Sequence, residues 1–435
     1  MTKSLWEYSC KLPKFRTLDS DINTDVLIVG GGMAGILCAY FLEKNNIPYI
    51  LCEGNTIASG TTSKTTAVLS AQHDTFYYDL VKKFGRQKAL KYLTANLDAL
   101  NEYRNICKTI DCDFEEKPSY VYSLADNDRE IMKNEVEFLK SLGFNAELLN
   151  KIPLPLNISA AIKFPFQAQF HPLKFISEIC QNMNIYEHTH INKIKNNTAY
   201  TDKYKINADK IIVTTHFPII NTHGMYFLKL YQKRSYVIAF ENAEQYDGTF
   251  VENSEGGLYF RNYKNLLIIG GGDKRTGKGG CNYEKIRQFA RQHYPNAKEK
   301  YIWATQDCMS LDGVSYIGRY SGGLSDVYTA TGFNEWGMTS SMAAAKIITN
   351  AIIGKPDKFA DVFNPSRSML SKQLFSNIGI TLGNFVIPTT KRCSHLGCSL
   401  KYNKDEHSWD CMCHGSRFEE NGDIIDNPAT RNINI

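Results

Sequence analysis

The residue types with the most specific chemistry sit near the C-terminus, in RCSHLGCSL (392–400) and WDCMCHGSRF (409–418). Cys393, His395 and Cys398 form one box, and Cys411, Cys413 and His414 form a second that continues into Gly415 and Ser416. Thiolates and imidazoles together suit zinc or iron–sulfur centres. A zinc finger usually separates its first cysteine pair by two to four residues and its histidines by three to five. Here each box supplies one Cys and one His at short range and adds a second Cys. Zinc remains an alternative at this point.

A second chemistry is written near the start. TDVLIVGGGMAGILCAYFLEKNNIPYILCEG (24–54) reads strand, glycine turn, helix, strand. Gly30, Gly32 and Gly35 fit G-x-G-x-x-G: a tight turn, a close approach for pyrophosphate, and helix-on-strand packing. The phosphates would rest on the helix N-terminus, where free N–H groups favour anions. Glu53 ends the second strand and can accept both hydroxyl hydrogens of an adenosine ribose. The other glycine cluster, LLIIGGGDKRTGKGG (266–280), has Arg275 where a third glycine should fall and no helical pattern behind it. It reads as a strand end and loop, so only one dinucleotide site is expected.

Three further stretches share a context with that site. GTTSKTTAVLSAQH (60–73) is rich in hydroxyls, DGVSYIGR (312–319) precedes a strand, and YTATGFNEWGMTSSMAAAKIITNAIIGKP (328–356) reads strand, glycine loop, helix, with Thr339 or Ser340 as N-cap. With 24–54, these stretches resemble the D-amino-acid-oxidase-like family of FAD-dependent oxidoreductases, over roughly residues 20 to 365. The resemblance implies that Gly30, Gly32, Gly35 and Glu53 hold the ADP half of FAD. It places Thr61, Thr62 and Ser63 by the pyrophosphate or ribitol, and Gly332, Phe333, Asn334, Trp336, Gly337, Met338 and Thr339 along the flavin ring. It also implies hydride removal from a C–H beside an amine or hydroxyl, often with an arginine clamping a carboxylate. Arg234 and Arg261, with Tyr236 and Tyr259, are the substrate-contact candidates. His73, His171 and His216 are read as structural, and Cys308 as a core thiol.

The terminal boxes resemble Rieske [2Fe–2S] proteins of the cytochrome-bc type. By that resemblance Cys393 and Cys411 bind one iron and His395 and His414 the other. Cys398 and Cys413 form a disulfide, and Ser416 donates toward a sulfur. Two neutral imidazoles in place of thiolates raise such a cluster to about −150 to +300 mV. Full Rieske domains place several strands before the first box, whereas little precedes it here, so this module is expected to lean on the flavin domain for its missing sheet. A Rieske oxygenase would need a mononuclear iron on two histidines and a carboxylate; EHTH (187–190) is the lone weak candidate.

The expected fold class is α/β: a Rossmann-like FAD-binding domain with an inserted antiparallel-sheet substrate domain, plus a small all-β Rieske module. The expected division gives residues 1–370 to the flavoprotein (FAD-binding 1–80, 150–225 and 300–360; cap 81–149 and 226–299), 371–387 to a linker and 388–435 to the cluster module. Amphipathic helices are expected over 79–110 and 127–142, and strands at 119–124, 236–240, 257–261 and 266–269. At 435 residues the chain can bury two or three cores. Its net charge of +5 is spread without a basic block, which argues against nucleic acid. Absence of a long apolar run argues against a membrane span and for a cytoplasmic protein. The expected activity moves electrons between a small amine, amino acid or hydroxy acid and a ferredoxin-like or quinone one-electron carrier, through FAD and the cluster. The same chain run in reverse as a reductase, or a non-catalytic redox sensor, are the alternatives.

Overall fold

The computed structural model describes residues 3–279, 283–324 and 326–434. Its first sheet is built on Ile22–Val29, whose last four residues are all buried, as a strand covered on both faces requires. This strand lies parallel to Lys205–Val213 on one side and Tyr49–Cys52 on the other. Val327–Thr331 and Ile185–Tyr186 continue the parallel order outward, and Tyr316–Arg319 adds an antiparallel edge. The glycine turn at 30–32 therefore sits at the C-terminal end of the central strand, where α/β sheets bind ligands. Helices Met33–Lys44 and Gly337–Ile352 pack on each other over one face of this sheet, and Arg86–Cys107 packs behind them.

The second sheet runs Lys298–Ser310, Leu230–Glu241, Leu266–Arg275, Leu258–Tyr263, Thr249–Glu252, Glu115–Ser123, Ala160–Gln169 and Val68–Leu69. All its neighbours are antiparallel except Glu115–Ser123 with Thr249–Glu252. Strands 160–169 and 298–310 thus belong to the cap sheet rather than to the FAD-binding portion where the sequence reading put them. Helix 86–107, read as cap, packs on the nucleotide-binding side. The helix expected over 79–110 is two helices, broken at Gly85, which takes φ 84°.

A third sheet of four short strands, Leu400–Asn403, Ser408–Cys411, Arg417–Glu419 and Ile424–Asp426, carries the terminal boxes. Before it, the expected linker forms a helix, Lys372–Phe385, started by the Ser371 hydroxyl accepting from the Leu374 N–H. No helix among the described residues is long and apolar enough to cross a membrane.

Candidate flavin and iron–sulfur sites

The nucleotide site is shaped by close packing of backbone. Gly30 takes φ 108°, and a Cβ there would lie 2.7 Å from the Thr214 carbonyl oxygen. One on Gly35 would lie 1.9 Å from the Gly30 oxygen, so no side chain fits either position. Gly32 is the N-cap of helix 33–44 and offers no side chain to its first turn, leaving that end to an anion. Thr62 Oγ1 accepts from the Met33 N–H at 3.0 Å, which brings the hydroxyl-rich loop onto this helix end. The Glu53 carboxylate sits beside the turn, accepting from the N–H groups of Gly31 (2.7 Å) and Asn55 (2.8 Å). Thr61 Oγ1 bonds the Gln306 carbonyl, and the Ser63 hydroxyl bonds the carbonyls of Ser59 and Gly60. A helix end without a capping side chain of its own, a hydroxyl loop and a strand-end carboxylate together fit the ADP half of FAD.

Residues 332–336 form a loop under backbone strain that leads into helix Gly337–Ile352. Gly332, Asn334 and Glu335 all take positive φ (67°, 51° and 73°). Asn334 Oδ1 ties it to the cap sheet by accepting from the Ser310 N–H at 2.7 Å. Met338 and Thr339 reach back into the fold, through the Tyr103 hydroxyl (3.0 Å) and the Ser70 carbonyl (3.0 Å). Trp336 stacks on His73 with centroids 4.8 Å apart, while Phe333 lies beside Gly337. Trp336, not Thr339 or Ser340, is the N-cap of helix 337–352, and it makes no side-chain cap bond. The free end of that helix therefore opens toward this loop, suited to negative charge.

Opposite the loop, one face of the cap sheet presents Lys233 among carboxyl groups. Lys233 Nζ lies 2.9 Å from Asp273 Oδ2 and 3.8 Å from Glu335 Oε1. Burial raises Asp307 to about 7 and Asp74 to about 6, with the charge of Asp273 adding to both shifts. Burial, and then Asp273, pushes Glu335 up too, although its side chain keeps 38% exposure. Glu335 on the loop and Lys233 on the cap sheet, both partly open to solvent, thus border an acid-lined cleft. Tyr259 borders the same acids and bonds Ser235, its hydroxyl pushed up by burial. Cys308 is buried near Thr331, its thiol raised to about 12.

The terminal boxes form two matching loops. Gly397 N–H bonds the Cys393 carbonyl and Gly415 N–H bonds the Cys411 carbonyl, both at 2.9 Å, and both glycines take positive φ. Cys398 and Cys413 are disulfide-bonded across the loops. Of the three sulfurs of Cys398, Cys411 and Cys413, which lie within 4.8 Å of one another, only that of Cys411 can act as a thiolate. Cys393 and Cys411 are buried thiols. A hydrogen bond from Cys411, then the N–H groups of His395 and Leu396 and the Ser416 hydroxyl, draw Cys393 down to about 7 against the opposing effect of burial.

His395 and His414 have rings 4.9 Å apart, and the Nδ1 atom of each is buried without a partner. His395 Nε2 is 2.8 Å from Asn221 Oδ1, so it carries the proton and leaves Nδ1 its lone pair. Two buried thiols with donors aimed at them and two orphaned imidazole nitrogens fit a [2Fe–2S] cluster. Reduction of a cluster bound there would add one negative charge to a site where such donors already point.

The flavin domain supplies the walls of this site. Phe217 and Phe227 pack edge-on to the histidine rings. Gln232 Nε2 donates to the carbonyls of His414 (2.9 Å) and Asn427 (2.7 Å), and Gln306 Nε2 to that of Gly415 (2.8 Å). Arg275, whose presence spoiled a second glycine motif, donates to the carbonyls of Met412 (2.8 Å) and Cys413 (2.7 Å). Burial lowers its pKa to about 10, and a cation held there offsets cluster charge. The cap sheet is thus the missing sheet of the module.

The substrate-contact candidates sit elsewhere than expected. The Arg234 guanidinium is spent on Glu406 of the module, in a buried network with Arg417, Asp410 and Asp426. Arg261 donates to the carbonyls of Thr66, Ala67 and Phe170, holding the hydroxyl loop to the cap. Tyr236 packs on Tyr283, at the start of helix Tyr283–His293, with 5.0 Å between centroids. Of the four, only Tyr259 faces the acid-lined cleft. Lys233, Asp307, Gln232 and Arg275 were missed; alternation along 232–235 is the signal that could have split Gln232 and Lys233 by face. His73 and His171 are buried in hydrogen bonds, to Tyr92 and to Ser9 with the Lys174 N–H. His216 is half-buried with Nε2 enclosed and unpaired, between the Thr331 hydroxyl on its carbonyl and Gln232.

Comparison with known proteins agrees with this geometry. Residues 25–351 match the model of the FAD dependent oxidoreductase family and residues 381–435 that of the Rieske [2Fe-2S] domain. A Rieske 2Fe-2S iron-sulfur protein of Bacillus subtilis (strain 168), YhfW, is 31% identical over 99% of this chain and 96% of its own length. The cytochrome b6-f complex iron-sulfur subunit of Synechococcus sp. (strain JA-3-3Ab) is 42% identical over 43 residues, 10% of this chain and 25% of that subunit. Glycine oxidase from Geobacillus kaustophilus shares the fold, with a TM-score of 0.66 at 18% identity, covering 80% of this chain and all of that one.

Proposed function

The chain belongs to the FAD dependent oxidoreductase family and ends in a Rieske [2Fe-2S] domain, and from that premise we propose that it oxidises a small organic amine and delivers the electrons one at a time to an external carrier. FAD supplies hydride acceptance and the cluster single-electron exchange. One observation carries the reading: residues 232–235 put the two sites on opposite faces of a single strand. Gln232 and Arg234 hold the cluster module, while Lys233 lines the cleft with Asp273 and Glu335. A layer packed on either face of such a sheet lies about 10 Å from it, so the two layers are about 20 Å apart.

An amine is favoured over an amino acid or hydroxy acid by the charges around the cleft. Asp74, Asp273, Asp307 and Glu335 surround a single lysine, and the two arginines considered as carboxylate clamps are committed elsewhere. Ionised carboxylates there would hold a cationic substrate, and Asp307, raised to about 7, could accept the proton that an ammonium must lose before C–H oxidation. A cytoplasmic setting is supported by nine cysteines left unpaired among the described residues. Anaerobic titration of the holoprotein with amines, amino acids and hydroxy acids tests the whole proposal. Amines are expected to bleach the flavin and bring up the cluster's EPR signal. A bleached flavin beside a cluster that stays EPR-silent would sink the relay, and bleaching by hydroxy acids alone would sink the substrate class.

A further inference from the structure

Helix Lys372–Phe385 buries a polar residue most deeply and leaves large apolar ones exposed. A helix on a globular surface normally buries its apolar stripe. Here the one buried residue is Asn377, which accepts from Arg275 Nη1 (2.8 Å) and Gln373 (3.0 Å) and donates to the Leu228 carbonyl (3.2 Å). Asn384, two turns on along the same face, donates to the Ile380 carbonyl and accepts from the Ser399 hydroxyl. The opposite face carries Phe375 and Leu382, 63% and 62% exposed, and runs on into Phe385, Val386 and Ile387. With Leu370, this segment holds half of the large hydrophobic side chains exposed among the described residues. Scattered exposed apolar residues are ordinary, but a contiguous stripe of them marks an interaction surface.

The charge around the stripe selects its partner. Between Asp361 and Asp405 the chain has six Lys and Arg residues and no acidic one. Of the six, Arg367 alone is paired with a carboxylate among the described residues, Asp312. Lys372 lies one turn before Phe375 on the apolar face, and Lys391 and Arg392 follow the helix. The Arg392 guanidinium gathers the carbonyls of Asn384, Phe385 and Ile387, which fixes the basic end of the stripe. A second copy of the chain would set cations against cations. An apolar stripe flanked by lysines is the pattern of a helix lying in the headgroup region of an anionic bilayer.

We infer that this helix seats the protein peripherally on an anionic lipid surface. Phe385 touches Gly397 and Asn384 bonds Ser399, so the seated helix brings the first cluster loop to the bilayer side. This rests on the helix itself and stands whether or not the electron relay does.

Sedimentation of the full holoprotein with vesicles tests it, using phosphatidylcholine alone and phosphatidylcholine mixed with phosphatidylglycerol. Binding is expected to the mixed vesicles and to weaken with salt. Leu382→Ser should weaken it about tenfold through lost apolar burial, and Lys372→Glu by about fivefold or more. Flavin and cluster spectra should be unchanged in both, since neither side chain is buried. No binding to the mixed vesicles would overturn the inference. So would an apolar stripe that proves to be a dimer contact, seen as a Leu382→Ser monomer against a wild-type dimer, or one that captures an acidic electron carrier with no affinity for lipid.

Discussion

The two faces of one strand do different work in this molecule. On Leu230–Glu241, Gln232 and Arg234 point out to the iron–sulfur module, while Lys233 and Ser235 point in toward the acid-lined cleft. Lys298–Ser310 repeats the division, with Gln306 on the module and Asp307 in the cleft. The difference lies in what each face offers. Outside, the amides of Gln232 and Gln306 satisfy carbonyls of cluster loops too short to support themselves, and the Arg234 guanidinium pairs with Glu406. Inside, carboxyl groups are crowded against one ammonium, and burial raises the pKa values of Asp307, Asp74 and Glu335. A single sheet can therefore serve as the floor of one redox site and the ceiling of another.

Substitutions that damage one face and spare the other test that division. The largest effect belongs to a ligand. Cys411→Ser is expected to abolish the cluster's EPR signal while leaving flavin absorbance intact, and to cut reduction of an external one-electron acceptor by at least about 100-fold, given that groups merely behind such ligands are worth 10- to 100-fold. Next is Arg234→Ala, which leaves Glu406 facing only part of its partner set. Removing one member of a buried pair costs about 3–5 kcal/mol, so the cluster should be lost at lower temperature in a melt followed at its visible absorbance, with substrate reduction of flavin unaltered.

Asp307→Asn acts from the other side. Loss of a charge-assisted contact of about 1.5–3 kcal/mol should lower kcat/KM for amines roughly 10- to 100-fold and leave the EPR signal untouched. The smallest effect is that of pH. Asp307 has its pKa raised to about 7, so it is neutral below that value and ionised above it. A cationic substrate should bind more tightly as pH rises from 6 to 8, with KM falling a few-fold, and Asp307→Asn should flatten that profile.

What the sequence disclosed and what it hid follow the range of the contacts. Gly30, Gly32, Gly35 and Glu53 are legible because one βαβ unit contains the whole phosphate-facing geometry. The cluster residues are legible because their spacing is local too: each box closes on a glycine four residues past its cysteine. Arg275 and Gln232 are not, since their partners lie 102 to 195 residues away along the chain. Arg234 looked like a substrate clamp for the same reason: a conspicuous arginine on a cap strand reveals its charge but not which face it occupies. Helix 372–385 escaped notice because its most deeply buried residue is polar and large apolar ones stay exposed, which a reading tuned to buried apolar stripes takes for a linker.

The central claim is that electrons pass between cleft and cluster within one chain, across that sheet. Rapid-freeze EPR after anaerobic mixing with an amine substrate, repeated over a range of protein concentrations, tests it most directly. The account predicts that flavin reduction is followed by growth of the cluster signal at a rate independent of concentration. A cluster signal that never appears, or whose rate rises in proportion to protein concentration, would contradict it.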